Sequence, residues 1–113
     1  MAQREIAWVL VNSNSAKEAD KIGKAVLMRR LCACYALIPR LKSVYFWPPK
    51  TKRLESSKGP LLVLETLPKH YKKIVQLVKN LHSDTVPFIG RLEIEEVEKH
   101  FFQWLSGEVQ RKA

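Results

Sequence analysis

Five side chains in this sequence carry soft or borderline metal donors: Cys32, Cys34, His70, His82 and His100. Cys32 and Cys34 stand in a Cys-Ala-Cys run. On an extended strand, residues two apart share a face, so both thiols could be offered to Cu(I) or zinc from one side. The same spacing leaves them poorly placed to bridge each other. Two sulfurs do not make a centre, because a divalent ion needs several converging donors. The competing reading is a pair of small apolar residues on a core strand. His82 follows a predicted helix and could bond its last carbonyls, while His70 and His100 lie on predicted helices and are expected to face water. The carboxylates Glu93, Glu95, Glu96 and Glu98 crowd one segment. The simpler expectation is that they load the first turn of the last helix, where negative charge is favoured. There is no nucleophile elbow, no Gly-rich phosphate loop and no His-Glu-x-x-His. A non-enzymatic protein is therefore expected.

The chain has 113 residues and a formal net charge of +9. Between Arg40 and Lys79 there are ten basic residues against two acidic ones, Glu55 and Glu65, so this window holds +8 of the +9. A local excess of this kind, including Lys50, Lys52, Arg53, Lys69, Lys72 and Lys73, is a footprint for an anionic partner; the alternative is a solvated face. With 46% hydrophobic residues the chain is of globular composition. Its length supports one core, so residues 1–113 are expected to form a single domain. No run of about 18 apolar residues offers a membrane span, and the N-terminus does not resemble a secretory signal. A reduced, cytoplasmic protein is the expectation.

These groups are positioned by a regular alternation of elements. Residues 5–11 read as a buried strand. Ser15 and Glu18 form a capping box opening a helix to about Arg30, with Ala16, Ala19, Ile22, Gly23, Val26 and Leu27 as its apolar stripe. Leu31–Ile38 reads as a strand, bent at Pro39 and resumed over Ser43–Trp47. Residues 48–60 form a loop or long hairpin arm. Leu61–Thr66 is apolar enough to be central in a sheet. Pro68 opens a second helix with Tyr71, Ile74, Val75, Val78 and Leu81 inward. Val86–Glu93 is a strand and 95–106 a final helix. The order β-α-β-β-α-β plus a C-terminal helix packs economically as an α+β ferredoxin-like plait with a long central hairpin. That architecture is shared with RNA-binding modules, but the candidate central strand carries no aromatic residue to stack a base, so nucleic acid is not the expected partner.

The residues Arg30-Leu31-Cys32-Ala33-Cys34, Ile38-Pro39, Ser43-Val44-Tyr45-Phe46-Trp47-Pro48-Pro49-Lys50, His82 through Pro87, and Phe102-Gln103-Trp104-Leu105 together resemble the CutA family of divalent-cation-tolerance proteins. The resemblance runs from about Ile6 to Leu105, in order. Cys34 takes the family cysteine, and Cys32 stands where an alanine is usual. Tyr45, Trp47 and Lys50 fit the family's aromatic hairpin motif, with Pro49 in place of its glycine. His82 and Pro87 keep the outer positions of a motif whose interior is replaced by Ser83-Asp84-Thr85-Val86. Glu65-Thr66 replaces a lysine-threonine pair.

The resemblance implies a ferredoxin-like subunit, a compact homotrimer, and binding of copper or another divalent cation at Cys34 and His82, with Cys32 as a weaker candidate. A trimer would also cover the unpaired edges that a long hairpin leaves. Tyr45, Trp47, Phe101, Phe102 and Trp104 are the expected interface or core aromatics. Two functions follow as expectations: a non-enzymatic trimer binding copper or zinc in metal tolerance or homeostasis, or a trimeric scaffold holding an anionic partner on a contiguous basic surface. Neither expectation involves a membrane.

Overall fold

The computed structural model describes residues 4–112. Its elements are β1 (Ile6–Asn12), α1 (Ala16–Met28), β2 (Cys34–Ile38), β3 (Ser43–Phe46), β4 (Leu54–Ser57), β5 (Leu61–Thr66), α2 (Tyr71–Leu81), β6 (Ile89–Ile94) and α3 (Lys99–Glu108). A 3-10 turn, Pro68–His70, leads into α2. The main sheet has the antiparallel order β2-β5-β1-β6, which is the expected plait. β3 and β4 pair only with each other. They extend the β2–β5 hairpin as a separate arm, in a molecule 48 Å along its longest axis.

Alternation along the strands explains the layers. Val9 and Val11 of β1 and Leu62 and Leu64 of β5 share one face and are fully buried against Ala19, Ile22 and Val26 of α1 and Ile74 and Val78 of α2. Each large aliphatic side chain so buried stabilises by about 1.5–3 kcal/mol. Tyr35 lies flat over Gly23, where a Cβ would meet its ring at 2.5 Å, and its hydroxyl donates to Asp20. The opposite face carries Trp8, Leu10, Cys34, Ala36, Val63, Glu65 and Leu92, and neither α1 nor α2 covers it.

The bend expected at Pro39 is present, and it has a counterpart on the other strand. Gly59 has φ 137°, and a Cβ there would lie 2.3 Å from the Ser13 carbonyl oxygen. Only glycine accepts both the conformation and the approach. Pro39 and Gly59 thus separate the arm from the sheet at the same level.

Several expected boundaries move. α1 ends at Met28, because Arg30 turns the chain with φ 57°, and Ala16 is exposed. β2 starts only at Cys34, and residues 54–57 of the presumed loop form a strand. β6 starts at Ile89, leaving Val86 exposed. Only Glu98 caps α3, accepting from the Phe101 amide; Glu93 and Glu96 pair instead with Arg91 and Arg4. The C-terminal end of α3 buries Leu105 and Val109, and Gln110 donates to the Arg30 carbonyl at the end of α1.

His70 corrects an expectation outright. It is fully buried, and neither ring nitrogen has a hydrogen-bond partner. The 3-10 turn rotates it inward while Lys69 stays outside. Burial and the Lys69 and Lys73 charges hold the imidazole below its ordinary value; the nearby Gln110 backbone opposes this only in part. The unfolded chain takes up a proton the native ring refuses, so this contribution to stability is full above about pH 6.5 and declines as pH falls through it. Unpartnered buried nitrogens cost about 1–3 kcal/mol. His70→Leu is accordingly expected to keep or raise Tm and to flatten the loss of stability between about pH 8 and 5.5. Melts at both values check this, and an unchanged pH slope contradicts it.

Candidate functional site

The two candidate metal ligands lie at opposite ends of the sheet. Cys34 opens β2 opposite Glu65, which in turn faces Trp8 of β1 and accepts a 3.0 Å hydrogen bond from its indole nitrogen. Burial and then the Glu65 carboxylate push the half-buried Cys34 thiol above its ordinary value. Cys32 does not share this face. It precedes the strand, sits in the helix-covered core, and its thiol is pushed up to about 12, chiefly by burial. An inert, packed thiol fits that position.

His82 ends α2 beside the far end of β1. Its side chain is fully buried. Nε2 donates to the Asn12 carbonyl at 2.6 Å, and Nδ1 accepts from the Asp84 amide at 3.0 Å. Both nitrogens are thereby used, and the proton is fixed on Nε2. Trp8 and Asn12 are four residues apart, roughly 13 Å along the strand, so one subunit does not bring Cys34 and His82 together. Among the described residues no three His, Cys, Asp or Glu side chains converge on one point. Within a single chain these residues do not fit a divalent cation.

What surrounds His82 is a hydrogen-bonded junction. Ser15 Oγ accepts from the Glu18 amide, and Glu18 Oε1 accepts from the Asn14 amide, so Ser15 caps the helix as expected while the return bond of the capping box reaches the residue before the cap. Glu18 Oε2 also accepts from the Ser83 amide, and Asn14 Nδ2 donates to Ser83 Oγ and Asp84 Oδ1. Burial raises the Glu18 pKa, but the Ser83 and Asn14 hydrogen bonds outweigh it and hold the carboxyl below its ordinary value.

The basic residues form two patches. Lys50, Lys52 and Arg53 are exposed at the tip of the arm, beyond the Leu61 end of β5; Lys69, Lys72 and Lys73 are exposed past its Thr66 end. The six-residue strand, about 20 Å long, separates them, so the expected contiguous surface is not formed. The arm itself is two-faced. Ser43, Tyr45 and Trp47 point to one side of β3; Val44 and Phe46, with Leu54 from β4, point to the other and are 55–65% exposed. At α3, Phe101 and Phe102 are half-buried, Trp104 is 46% exposed, and the Phe101 and Trp104 rings lie 5.7 Å apart.

Sequence reasoning missed Arg40 and Asp84, which line a cleft of about 370 Å³ between the arm and the 83–88 loop. Arg40 counted only toward the basic excess. The available signal was a charged residue at a strand break beside Pro39. Glu65 was noted as a charge reversal, with nothing to show that it faces Cys34.

A plait with a split hairpin, an appended helix and a lone thiol on the open sheet face defines the class, and the comparisons give the family. The family model described as CutA1 divalent ion tolerance protein matches residues 7–108. The chain belongs to this family. It is 34% identical to the divalent-cation tolerance protein CutA of Thermus thermophilus over 97 residues, covering 86% of this chain and 91% of the relative. The solved structure of the periplasmic divalent cation tolerance protein CutA from Archaeoglobus fulgidus superposes with TM-score 0.84 at 28% identity, covering 93% of this chain and 99% of that one. CutA1 from Oryza sativa, at 20% identity, shares the fold with TM-score 0.87 over 96% of each chain.

Two outcomes are expected from the site geometry. In native protein, Cys34 reacts with a disulfide reagent more slowly than free cysteine, Cys32 reacts only on unfolding, and Glu65→Gln accelerates Cys34 severalfold by restoring thiolate. An unaltered rate in that variant contradicts the contact. Glu18→Gln lowers stability by about 1–2 kcal/mol through weakened amide hydrogen bonds. Because the native carboxyl titrates below the unfolded one, its contribution is full above about pH 4.5 and lost as pH falls further. The variant's acid decline is therefore shallower, as read by denaturant titration at each pH.

Proposed function

We propose that the protein is a non-enzymatic homotrimer serving divalent-cation tolerance in the cytoplasm, with Cys34 as its cation-facing donor and copper as the preferred ion. The observation that carries this reading is the position of Cys34: a half-buried thiol beside a carboxylate, on the sheet face that neither α1 nor α2 covers. A soft thiolate with an adjacent carboxylate supplies two donors of the type copper or zinc accepts. Two donors are too few, so the remaining ligands come from neighbouring subunits. His82 is a structural residue in this reading, since ligation would break both of its ring hydrogen bonds.

Assembly is supported by what one chain leaves uncovered. Val44, Phe46 and Leu54 form an apolar arm face, Leu41 is 80% exposed beside it, and β2 and β6 are free edges of the sheet. Monomers rarely expose contiguous apolar surface together with open strand edges. A closed ring of three copies, the assembly implied by the family resemblance, would cover both without leaving a template for further growth.

Native mass spectrometry of metal-free protein, followed by titration with Cu and Zn, tests the reading. The expected result is a trimer that takes up ions in stoichiometric steps, with uptake lost in Cys34→Ser and kept in His82→Ala despite a lower Tm. A monomer removes the assembly. Uptake indifferent to Cys34 removes the donor, and a trimer that stays metal-free moves the role to an anionic partner at Lys50, Lys52 and Arg53.

A further inference from the structure

The arm–sheet junction holds a guanidinium without a carboxylate. Arg40 Nη2 donates to the Ser13 carbonyl at 2.9 Å, and Nη1 donates to Ser43 Oγ and, at 3.5 Å, to the Ser57 carbonyl; all three acceptors are neutral. Its Nε is buried without a partner. Arg40 makes no ion pair among the described residues, and neither does Asp84 on the opposite wall. Asp84 is nevertheless firmly held: Oδ1 accepts from Asn14 at 2.9 Å, and its amide donates to His82. A fixed cation and a fixed anion thus line the same cavity of about 370 Å³.

Three aromatic rings share the lining with small polar side chains of Asn12, Asn14 and Ser43. Tyr45 and Trp47 turn to the cleft by strand alternation with Ser43, and Phe88 lies on the far wall. These rings remain 40–51% exposed, so the subunit's own packing has not used them. An apolar cleft with a few oriented polar groups is the usual form of a small-molecule site, and about 370 Å³ is at the small end of the range.

We propose that this cleft binds a small zwitterion bearing an aromatic or large apolar group, such as an aromatic α-amino acid. Its carboxylate pairs with Arg40, its ammonium pairs with Asp84, and its side chain packs on Tyr45, Trp47 and Phe88. Nη1 spends both hydrogens on Ser43 and Ser57 and Nε is buried, so the carboxylate takes the remaining Nη2 hydrogen beside a charge that never titrates away. The arm face of Val44, Phe46 and Leu54 is the opposite side of β3 from this cleft. The proposal is independent of any cation bound at Cys34.

The test uses three probes on the full chain: L-phenylalanine, 3-phenylpropionate, which lacks the ammonium, and 2-phenylethylamine, which lacks the carboxylate. Binding is followed by calorimetry and by the indole N–H resonances. L-phenylalanine is expected to bind at least about tenfold more tightly than either analogue and to shift the Trp47 indole but not that of Trp104. Asp84→Asn removes the preference over phenylpropionate. Arg40→Gln removes the preference over phenylethylamine, and Arg40→Lys, which keeps the charge if the glutamine variant loosens the arm, retains part of it. No saturable binding at about 10 mM probe, equal binding of all three, or an affinity unchanged in Asp84→Asn overturns the proposal.

Discussion

The turn at the end of β1 is the constraint on which the rest of the subunit depends. Within Asn12–Ser15, the Asn12 carbonyl takes the His82 ring, and the Ser13 carbonyl takes Arg40. The Ser13 amide and hydroxyl both donate to the Pro60 carbonyl, and the Asn14 amide donates to Glu18. Three consecutive residues therefore register the first helix, the return strand of the hairpin, the arm and the loop after the second helix. Three of these side-chain bonds are part-buried, where an unmade bond costs more than a made one yields. Movement at any one partner would leave polar groups of the others unsatisfied.

This arrangement reassigns His82. A histidine retained in the position of a family motif suggests a ligand, and the chemistry of the ring permits one. Here both nitrogens serve the backbone, one at each side of the turn. The loop that departs from the family pattern, Ser83-Asp84-Thr85-Val86, is the segment bonded to Asn14 and Glu18. The altered residues and the histidine thus form one hydrogen-bonded unit. Cys34 is free of this unit. Among the described residues the charged group that acts on it is Glu65, where the family pattern resembled has a lysine; a lysine would favour the thiolate, whereas the glutamate disfavours it. The change acts on the single exposed thiol face of the sheet.

The elements legible in the sequence were those fixed by local chemistry. Ser15 and Glu18 announce the start of α1 because cap and capped amide lie within one turn. The apolar run Leu61–Leu64 announces β5 as an inner strand, and it pairs with β2 on one side and β1 on the other. What escaped was set by partners distant in the chain. Val86 is β-branched and reads as strand, yet its loop is held open by Asn14 and Glu18, some seventy residues away. His70 lies among lysines and reads as surface, but one 3-10 turn moves it into the core. Cys32 and Cys34 look like a strand pair until Arg30, in the left-handed region, delays the strand from Leu31 to Cys34.

The split hairpin gives the arm two separate uses. Were Pro39 and Gly59 absent, β3 would continue β2 and one set of side chains would simply extend the open sheet face. The break lets the arm turn independently, because Arg40 rather than a ladder of backbone hydrogen bonds ties it to the end of β1. Alternation then sorts Tyr45 and Trp47 toward the cleft and Val44 and Phe46 away from it. The same charge that fastens the arm is left without a counter-ion, so the price of the joint is an unbalanced guanidinium at the edge of a cavity. A structural clamp built from a neutral side chain would hold the arm without creating that field; an arginine holds it and leaves a positive charge facing Asp84 across the cleft.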